Sequence, residues 1–243
     1  MSLSKNHIKL ITSLQQKKYR QKHQLFVAEG IKVVKEFLNS SFILEKIFVV
    51  ESNFLLPNIS EDKIVFISDA ELKKISLLKS PNKVLALFKI PAQVAQVNNG
   101  LTLVLDDIND PGNLGTIIRL CDWFGVEQLL CSKDTVDCYN AKVVQASMGS
   151  LIRIQINYVD LNSYLSETKS PTFIADMNGE NVYKSKLPRE GVLIMGNEAN
   201  GVSDVIKELA NTVVSIPRFG VKQEIESLNV ATATAILLSE FRR

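Results

Sequence analysis

The sequence predicts an α/β protein: a small N-terminal α/β domain over residues 1–92, then a domain over 101–243 whose mostly parallel sheet carries helices on both faces. Three observations point there. In the second half, apolar runs alternate with helical patterns, as strands joined by crossover helices do. The segment "PAQVAQVNNG" (91–100) has no charged residue, opens on Pro91 and closes on Asn98-Asn99-Gly100, which is linker composition. The chain has 243 residues, 46% of them hydrophobic, enough for one large or two ordinary cores.

In the first part, Ile8, Ile11 and Leu14 fall at helical spacing with basic residues between them, which predicts a helix over 5–22. "LFVAEG" reads as a short strand into a turn and "IKVVKEFLNS" as an amphipathic helix. "ILEKIFVV", "KIVFIS" and "KVLALFKI" read as strands, the last so continuously apolar that it belongs inside a sheet. "DAELKKIS" reads as a short helix capped by Asp69. In the second part, "LTLVLDDI", "EQLLCS", "LIRIQI", "TFIADM", "GVLIMG" and "NTVVSIP" read as strands. Helices are expected near 113–124, 139–147, 160–167, 203–210 and 227–241.

The net charge of +2 conceals an asymmetry: residues 1–95 carry a balance of +7 and residues 96–243 one of −5. No acidic residue precedes Glu29, whereas Lys5, Lys9, Lys17, Lys18, Arg20 and Lys22 all do. Such a segment either binds a polyanion or is a solvated lysine-rich face. Cys121, Cys131 and Cys138 form no C-x-x-C pair, and the two histidines both lie before residue 24, so a zinc site is not expected. Free cysteines, no signal-peptide pattern and no run of about 18 apolar residues lead to the expectation of a cytoplasmic protein without a membrane span.

Three strand ends carry unusual loops, and ligands of parallel sheets bind beyond such ends. The first is "LVLDDINDPGNLGTIIRLCDWFGV" (103–126), where Gly112 and Gly115 permit close approach. Its ordinary explanation is a helix start capped by Asn113, with Arg119 paired to Asp122. The second is "VLIMGNEANGVS" (192–203), otherwise a glycine-flanked turn exposing Glu198. The third is "VVSIPRFGVKQEIESLNVATATAILLSEF" (213–241), otherwise a helix capped by Ser227. Each ordinary reading stands alone; three at successive strand ends are hard to ascribe to coincidence.

The trio resembles the SpoU-type RNA 2′-O-ribose methyltransferases of the SPOUT superfamily. The matching pieces are D-P-x-N-x-G-x-x-x-R at Asp110, Pro111, Asn113, Gly115 and Arg119, then G-x-E-x-x-G at Gly196, Glu198 and Gly201. The third is I-P…S-L-N-V at Ile216, Pro217, Ser227, Leu228, Asn229 and Val230. "KKYRQKHQLFVAEGIKVV" (17–34) also resembles the ribosomal-protein-like substrate-binding domain of many members. The loop "VKQEIE" (221–226) is longer than the pattern usually has.

The resemblance implies a trefoil knot in the C-terminal domain, bound S-adenosylmethionine and a homodimer with its active site near the subunit interface. It implies Arg119, Asn113, Ser227, Asn229 and Glu198 as catalytic residues. Gly196, Asn197, Gly201, Ile216, Leu228 and Asn229 would hold the cofactor, with Gly196 and Gly201 leaving room for it. Lys17, Lys18, Arg20 and Lys22 would hold RNA, rRNA being favoured over tRNA.

Methyl transfer from a sulfonium to a hydroxyl is a direct displacement that needs no metal. Histidine is excluded as a base by its positions, and a guanidinium with a pKa above about 12 is an awkward one. Electrostatic stabilisation of a developing alkoxide by Arg119 is physically easier than proton abstraction, though the sequence leaves both open. "GNLG" is no dinucleotide fingerprint, and no P-loop is present. Asp106, Asp107 and Asp110 could bind Mg²⁺, but an acidic turn is the commoner explanation. The alternative from another class is a catalytically inactive RNA-binding module of the same fold.

Overall fold

The computed structural model describes residues 3–51, 59–78, 80–92, 95, 100–220, 222 and 227–243. Most of the linker expected at 91–100, and most of the long 221–226 loop, lie outside them. The chain divides into two compact units: 1–92 with 137–152, and 93–136 with 153–243. Residues 137–152 thus group with the first unit, although their sequence reads as part of the second domain.

In the first unit, the helix expected over 5–22 is two helices, α1 (Lys5–Ser13) and α2 (Lys17–His23). The break has a physical cause. Arg20 Nη1 donates to the carbonyls of Leu14 and Gln15, at 2.8 and 2.9 Å, taking acceptors that a continuous helix would use internally. Its Nε donates to Asp137 Oδ2 at 2.7 Å, and Arg20 is only 3% exposed. Arg20 therefore cannot be the phosphate contact expected of it; Lys17, Lys18 and Lys22 are exposed.

Strands β1 (Leu25–Glu29), β2 (Leu44–Val49), β3 (Ile64–Phe66) and β4 (Val84–Lys89) form a sheet in the order β1-β4-β2-β3. β4 lies inside it, antiparallel to both neighbours, as its apolar run requires. Helix α3 (Ile31–Leu38) buries Val33, Val34 and Phe37. Helix α4 (Asp69–Ile75) is capped by Ser68 in a capping box with Glu71, so Asp69 is its first residue rather than its cap. One core gathers Ile11, Leu14, Phe48, Leu72, Ile75 and Leu85. An aromatic cluster joins Phe26 to Phe37, Phe42, Phe88 and Tyr139, with centroids 4.8–6.0 Å apart. Burial pushes the Tyr139 hydroxyl's pKa upward. Helix α5 (Ala141–Ser147), capped by Asn140, completes the unit.

The second unit is built on strands β5 (Leu101–Leu105), β6 (Gln128–Cys131), β7 (Gln155–Tyr158), β8 (Thr172–Asn181), β9 (Gly191–Met195) and β10 (Thr212–Ser215). All neighbours in the order β10-β8-β9-β5-β6-β7 are parallel. β5, β6 and β9 are buried along their whole length and are mostly apolar. The polar exceptions, Thr102 and Gln128, pair with each other, Gln128 Nε2 donating to Thr102 Oγ1 at 3.3 Å. "LIRIQI" is half right: residues 150–152 form a 3-10 turn and the strand starts at Gln155. β8 outruns "TFIADM", and β10 meets its far end through a register shift at Val213/Val214. A Cβ on Gly179 would stand 2.6 Å from the Val213 and Val214 backbone, so only glycine admits that crossing.

The helices of this unit are α6 (Pro111–Phe124), α7 (Leu161–Glu167), α8 (Asp204–Glu208) and α9 (Val230–Arg242). α6 packs on α9, and Arg242 donates from Nε to the Phe124 carbonyl and from Nη2 to that of Gly125, each at 2.7 Å. The carbonyls left open at the end of α6 are thereby satisfied. The chain lays down β5, β6 and β7 in one direction and places β8, β9 and β10 on the other side of β5. The sheet's order therefore reverses between β5 and β9. That switch positions the site.

Candidate active site

The loops after β5 and β9 flank the switch, where a crevice opens beyond the carboxyl ends of the strands. Asp106 and Asp107 clamp them together. Asp106 Oδ2 accepts from Ser203 N at 2.8 Å, and the Asp107 carbonyl accepts from Asn197 Nδ2 at 2.7 Å. Asp110 caps α6, its Oδ1 accepting from Asn113 N at 2.8 Å. Asn113 is therefore the capped residue and not the cap. These bonds account for the acidic cluster as loop architecture.

The β9 loop closes on itself: Asn197 and Gly201 exchange two backbone hydrogen bonds of 2.9 Å. Asn197 Oδ1 also accepts from the amides of Ala199 and Asn200. A Cβ on Gly196 would lie 2.2 Å from the Gly201 carbonyl carbon, and Gly201 itself has φ +68°. Gly196 is thus required by the return of its own loop and Gly201 by its left-handed turn. Both also line the cavity described below, so this constraint stands beside the sequence reading, in which they leave room for the cofactor. Asn197 lines the same cavity while its amide serves the loop.

Three side chains join the loops in one directed chain. Asn229 Oδ1 accepts from the amides of Ala231 and Thr232 at the start of α9, making Asn229, rather than Ser227, the cap. This fixes its Nδ2 outward, and that group donates to Asn113 Oδ1 at 2.9 Å. Asn113 Nδ2 donates in turn to Glu198 Oε1 at 2.7 Å. Each amide is oriented by the one before it, and the chain ends on a carboxylate.

Beside it lies a cavity of about 1150 Å³. Met195, Ile216, Leu228, Val230 and Leu237 supply apolar wall, and the Gly196–Gly201 loop supplies polar backbone. Ser227 also lines it. Sequence reasoning missed its wall from β8, Ala175 to Asn178, because nothing in "TFIADMN" tells that β8 lies beside β9. Phe219, 83% exposed, was missed as well.

Arg119 lies apart from this chain. It is exposed on α6 and makes no hydrogen bond or ion pair among the described residues. Asp122, the partner sequence offered it, is gripped by Arg153 through Nε and Nη2 at 2.8–3.0 Å. One turn beyond Arg119 on α6 stands Trp123, 82% exposed.

A parallel α/β sheet with an asparagine–asparagine–glutamate chain at its switch point and an adjoining cavity defines the class: a ligand-binding α/β domain preceded by a basic α/β unit. The chain belongs to the SpoU rRNA Methylase family, whose model matches residues 100–239, and residues 5–86 match an MRM3-like substrate binding domain. It is 30% identical over 235 residues to the 23S rRNA (guanosine(2553)-2′-O)-methyltransferase RlmP of Bacillus subtilis, covering 94% of this chain and 93% of that one. A TrmH-family structure from Porphyromonas gingivalis superposes with TM-score 0.90 at 35% identity, over 99% of this chain and 98% of the other. An AdoMet-bound rRNA methyltransferase from Sinorhizobium meliloti gives 0.86 at 25% identity, over 100% and 97%.

Proposed function

We propose that this protein methylates a ribose 2′-hydroxyl of rRNA with S-adenosylmethionine. The observation that carries the reading is the Asn229–Asn113–Glu198 chain, which brings all three motif loops together beside one cavity. The RlmP relative, aligned along nearly the whole chain, supports rRNA as the substrate.

The cavity fits the cofactor's chemistry. Its volume of about 1150 Å³ lies somewhat above the roughly 300–1,000 Å³ that small-molecule sites usually occupy, which leaves room for the cofactor. Ile216, Leu228 and Leu237 would flank its apolar surfaces, and the Gly196–Gly201 backbone would meet its polar groups. Asn229, expected to hold the cofactor, is not among the cavity's lining residues and spends its amide on the α9 cap and on Asn113. When bound, S-adenosylmethionine supplies an electrophilic methyl group on a sulfonium. The chain's own residues do the rest. Glu198, held by Asn113, keeps the β9 loop at the cavity edge. Ser227 presents a hydroxyl for orienting the ribose. Arg119 offers a planar cation to the oxygen on which negative charge develops.

Arg119 and Trp123 lie on an exposed face of α6, and tryptophan and arginine are the residue types enriched in interface hot spots. This supports a homodimer in which that face meets a second copy and Arg119 works beside the site. The same reading includes the trefoil knot of the C-terminal segment, RNA binding by residues 1–92 through Lys17, Lys18 and Lys22, and a cytoplasmic location. No described helix is long and apolar enough to cross a membrane.

The test combines calorimetric binding of S-adenosylmethionine with mapping of 2′-O-methyl positions in total RNA from cells with and without the gene. Cofactor binding and one lost rRNA methylation are expected. Failure to bind cofactor would leave an RNA-binding module.

A further inference from the structure

Helix α2 of the first unit carries an arrangement that phosphate contacts do not require. On α2, Tyr19 and His23 sit one turn apart with their rings near parallel, 23° between planes and 6.5 Å between centroids. Lys18 Nζ lies 4.9 Å from the Tyr19 ring centroid. Tyr19 is half-buried and His23 exposed, and Lys17, Lys18 and Lys22 surround them on the same short helix.

The helix is rigidly held. The guanidinium of Arg20 between them is spent on Asp137 and on the Leu14 and Gln15 carbonyls, so α2 is pinned by a buried fork and not by its seven residues alone. A short helix fixed this way presents its rings with little entropy left to lose on binding.

We infer that Tyr19 and His23 form a stacking platform for an unpaired nucleobase of the RNA substrate, with Lys17, Lys18 and Lys22 holding the flanking phosphates. This rests on the RNA-methylating reading. Charge selects the partner: residues 1–28 hold no carboxylate to oppose a polyanion, and Lys17 and Lys18 precede Tyr19 while Lys22 lies between it and His23. Chemistry selects the form of the RNA. Bases inside a duplex are already stacked on one another and offer no free face, whereas loop and bulge bases can leave the stack for aromatic side chains. The platform would thus favour a loop or bulge over a uniform helix.

The experiment measures affinity of the full chain for two probes of equal length, a hairpin with an adenine-rich loop and a blunt duplex, with cofactor binding followed in parallel. Tyr19→Ala and His23→Ala should weaken hairpin binding about tenfold each, as expected for loss of one stacked base. Tyr19→Phe, which keeps the ring, should bind like wild type, and duplex affinity should hold in every variant. Equal losses on hairpin and duplex would reduce the patch to electrostatics and overturn the platform. So would wild-type hairpin binding by Tyr19→Ala, including the case where that variant fails only on assembled ribosomal particles and the face meets protein. Absence of cofactor binding by wild type would count against the methyltransferase reading alone, since the hairpin-to-duplex comparison does not use it.

Discussion

Asn113 stands between Glu198 and Asn229, donating to the first at 2.7 Å and accepting from the second at 2.9 Å. These two partners lie 85 and 116 positions from Asn113 in sequence. A side-chain amide has a donor end and an acceptor end, so only asparagine's polarity serves both neighbours at once. Asn229 is oriented by the helix it caps, and that orientation passes through Asn113 to the carboxylate. The site is therefore set by the start of α9 as much as by the loop that carries Glu198.

Asn113→Asp keeps size and shape while replacing the donor with a second carboxylate facing Glu198. Methylation should fall by at least tenfold. Stability should drop by about 1 kcal/mol, the scale of one hydrogen bond at a partly exposed place. Single-turnover methylation beside thermal unfolding reads both, and wild-type rates would mean that the chain only ties loops together.

Arg119 makes no stabilising contact among the described residues, so Arg119→Ala should change stability by less than about 0.5 kcal/mol. Methyl transfer should nevertheless fall by about 10²–10³, the loss seen when a preorganised donor to developing charge is removed. Arg119→Lys should rescue little, since an ammonium lacks the planar fork. Cofactor affinity, measured by calorimetry, should remain near wild type in both; unchanged turnover would return Arg119 to the solvent.

Trp123→Glu places a charge on the face proposed to meet a second copy. Sedimentation should show a wild-type dimer and a variant dissociating at concentrations where wild type does not. A wild-type monomer, or a variant dimer of equal strength, would move the interface elsewhere.

The sheet was legible because β5, β6 and β9 are buried along their whole length and so are mostly apolar, with Thr102 and Gln128 as a buried polar pair. The motif loops were legible because the returning loop leaves no space for a side chain at Gly196 and its left-handed turn favours glycine at Gly201. What failed were local assignments decided at long range. The break between α1 and α2 comes from Arg20, whose partner Asp137 is 117 positions away. Caps shifted by one to three residues, to Ser68, Asp110 and Asn229, because several capping residues stood close together and only geometry chooses among them. The β8 wall of the cavity depended on strand order, which local pattern does not encode.

Glu29 is buried at the end of β1, and burial raises its pKa although Ser76 and the Leu77 amide bind the carboxylate. A carboxyl whose folded pKa lies above its unfolded value adds stability below the unfolded pKa, and that contribution is lost as pH rises through the folded one. The stability of wild type minus that of Glu29→Gln should therefore decrease as pH rises above the usual carboxylate range. Denaturant unfolding of both proteins across that window measures it; a difference that grows with pH would mean the hydrogen bonds outweigh desolvation.

Arg20 separates two readings of the basic N-terminus most sharply. Were it a phosphate contact like its neighbours, Arg20→Ala would leave folding untouched and lower the salt dependence of RNA binding by about one unit. Its surroundings argue otherwise: 3% exposed, with Nε and Nη2 on Asp137 and Nη1 on two carbonyls. Truncation would strand a largely buried carboxylate and two acceptors, so Arg20→Ala should destabilise by about 3–5 kcal/mol. Arg20→Lys keeps the charge but cannot serve three acceptors from one plane, and should recover only part. The double change Arg20→Met with Asp137→Leu removes both charges together and should be milder than Arg20→Ala. Lys17→Gln and Lys22→Gln provide the contrast, each leaving the unfolding midpoint alone while reducing the salt slope. Urea unfolding and a salt titration of RNA affinity on these five proteins give the answer. A stable Arg20→Ala protein with a diminished slope would put Arg20 back on the RNA and leave the break between α1 and α2 without its cause.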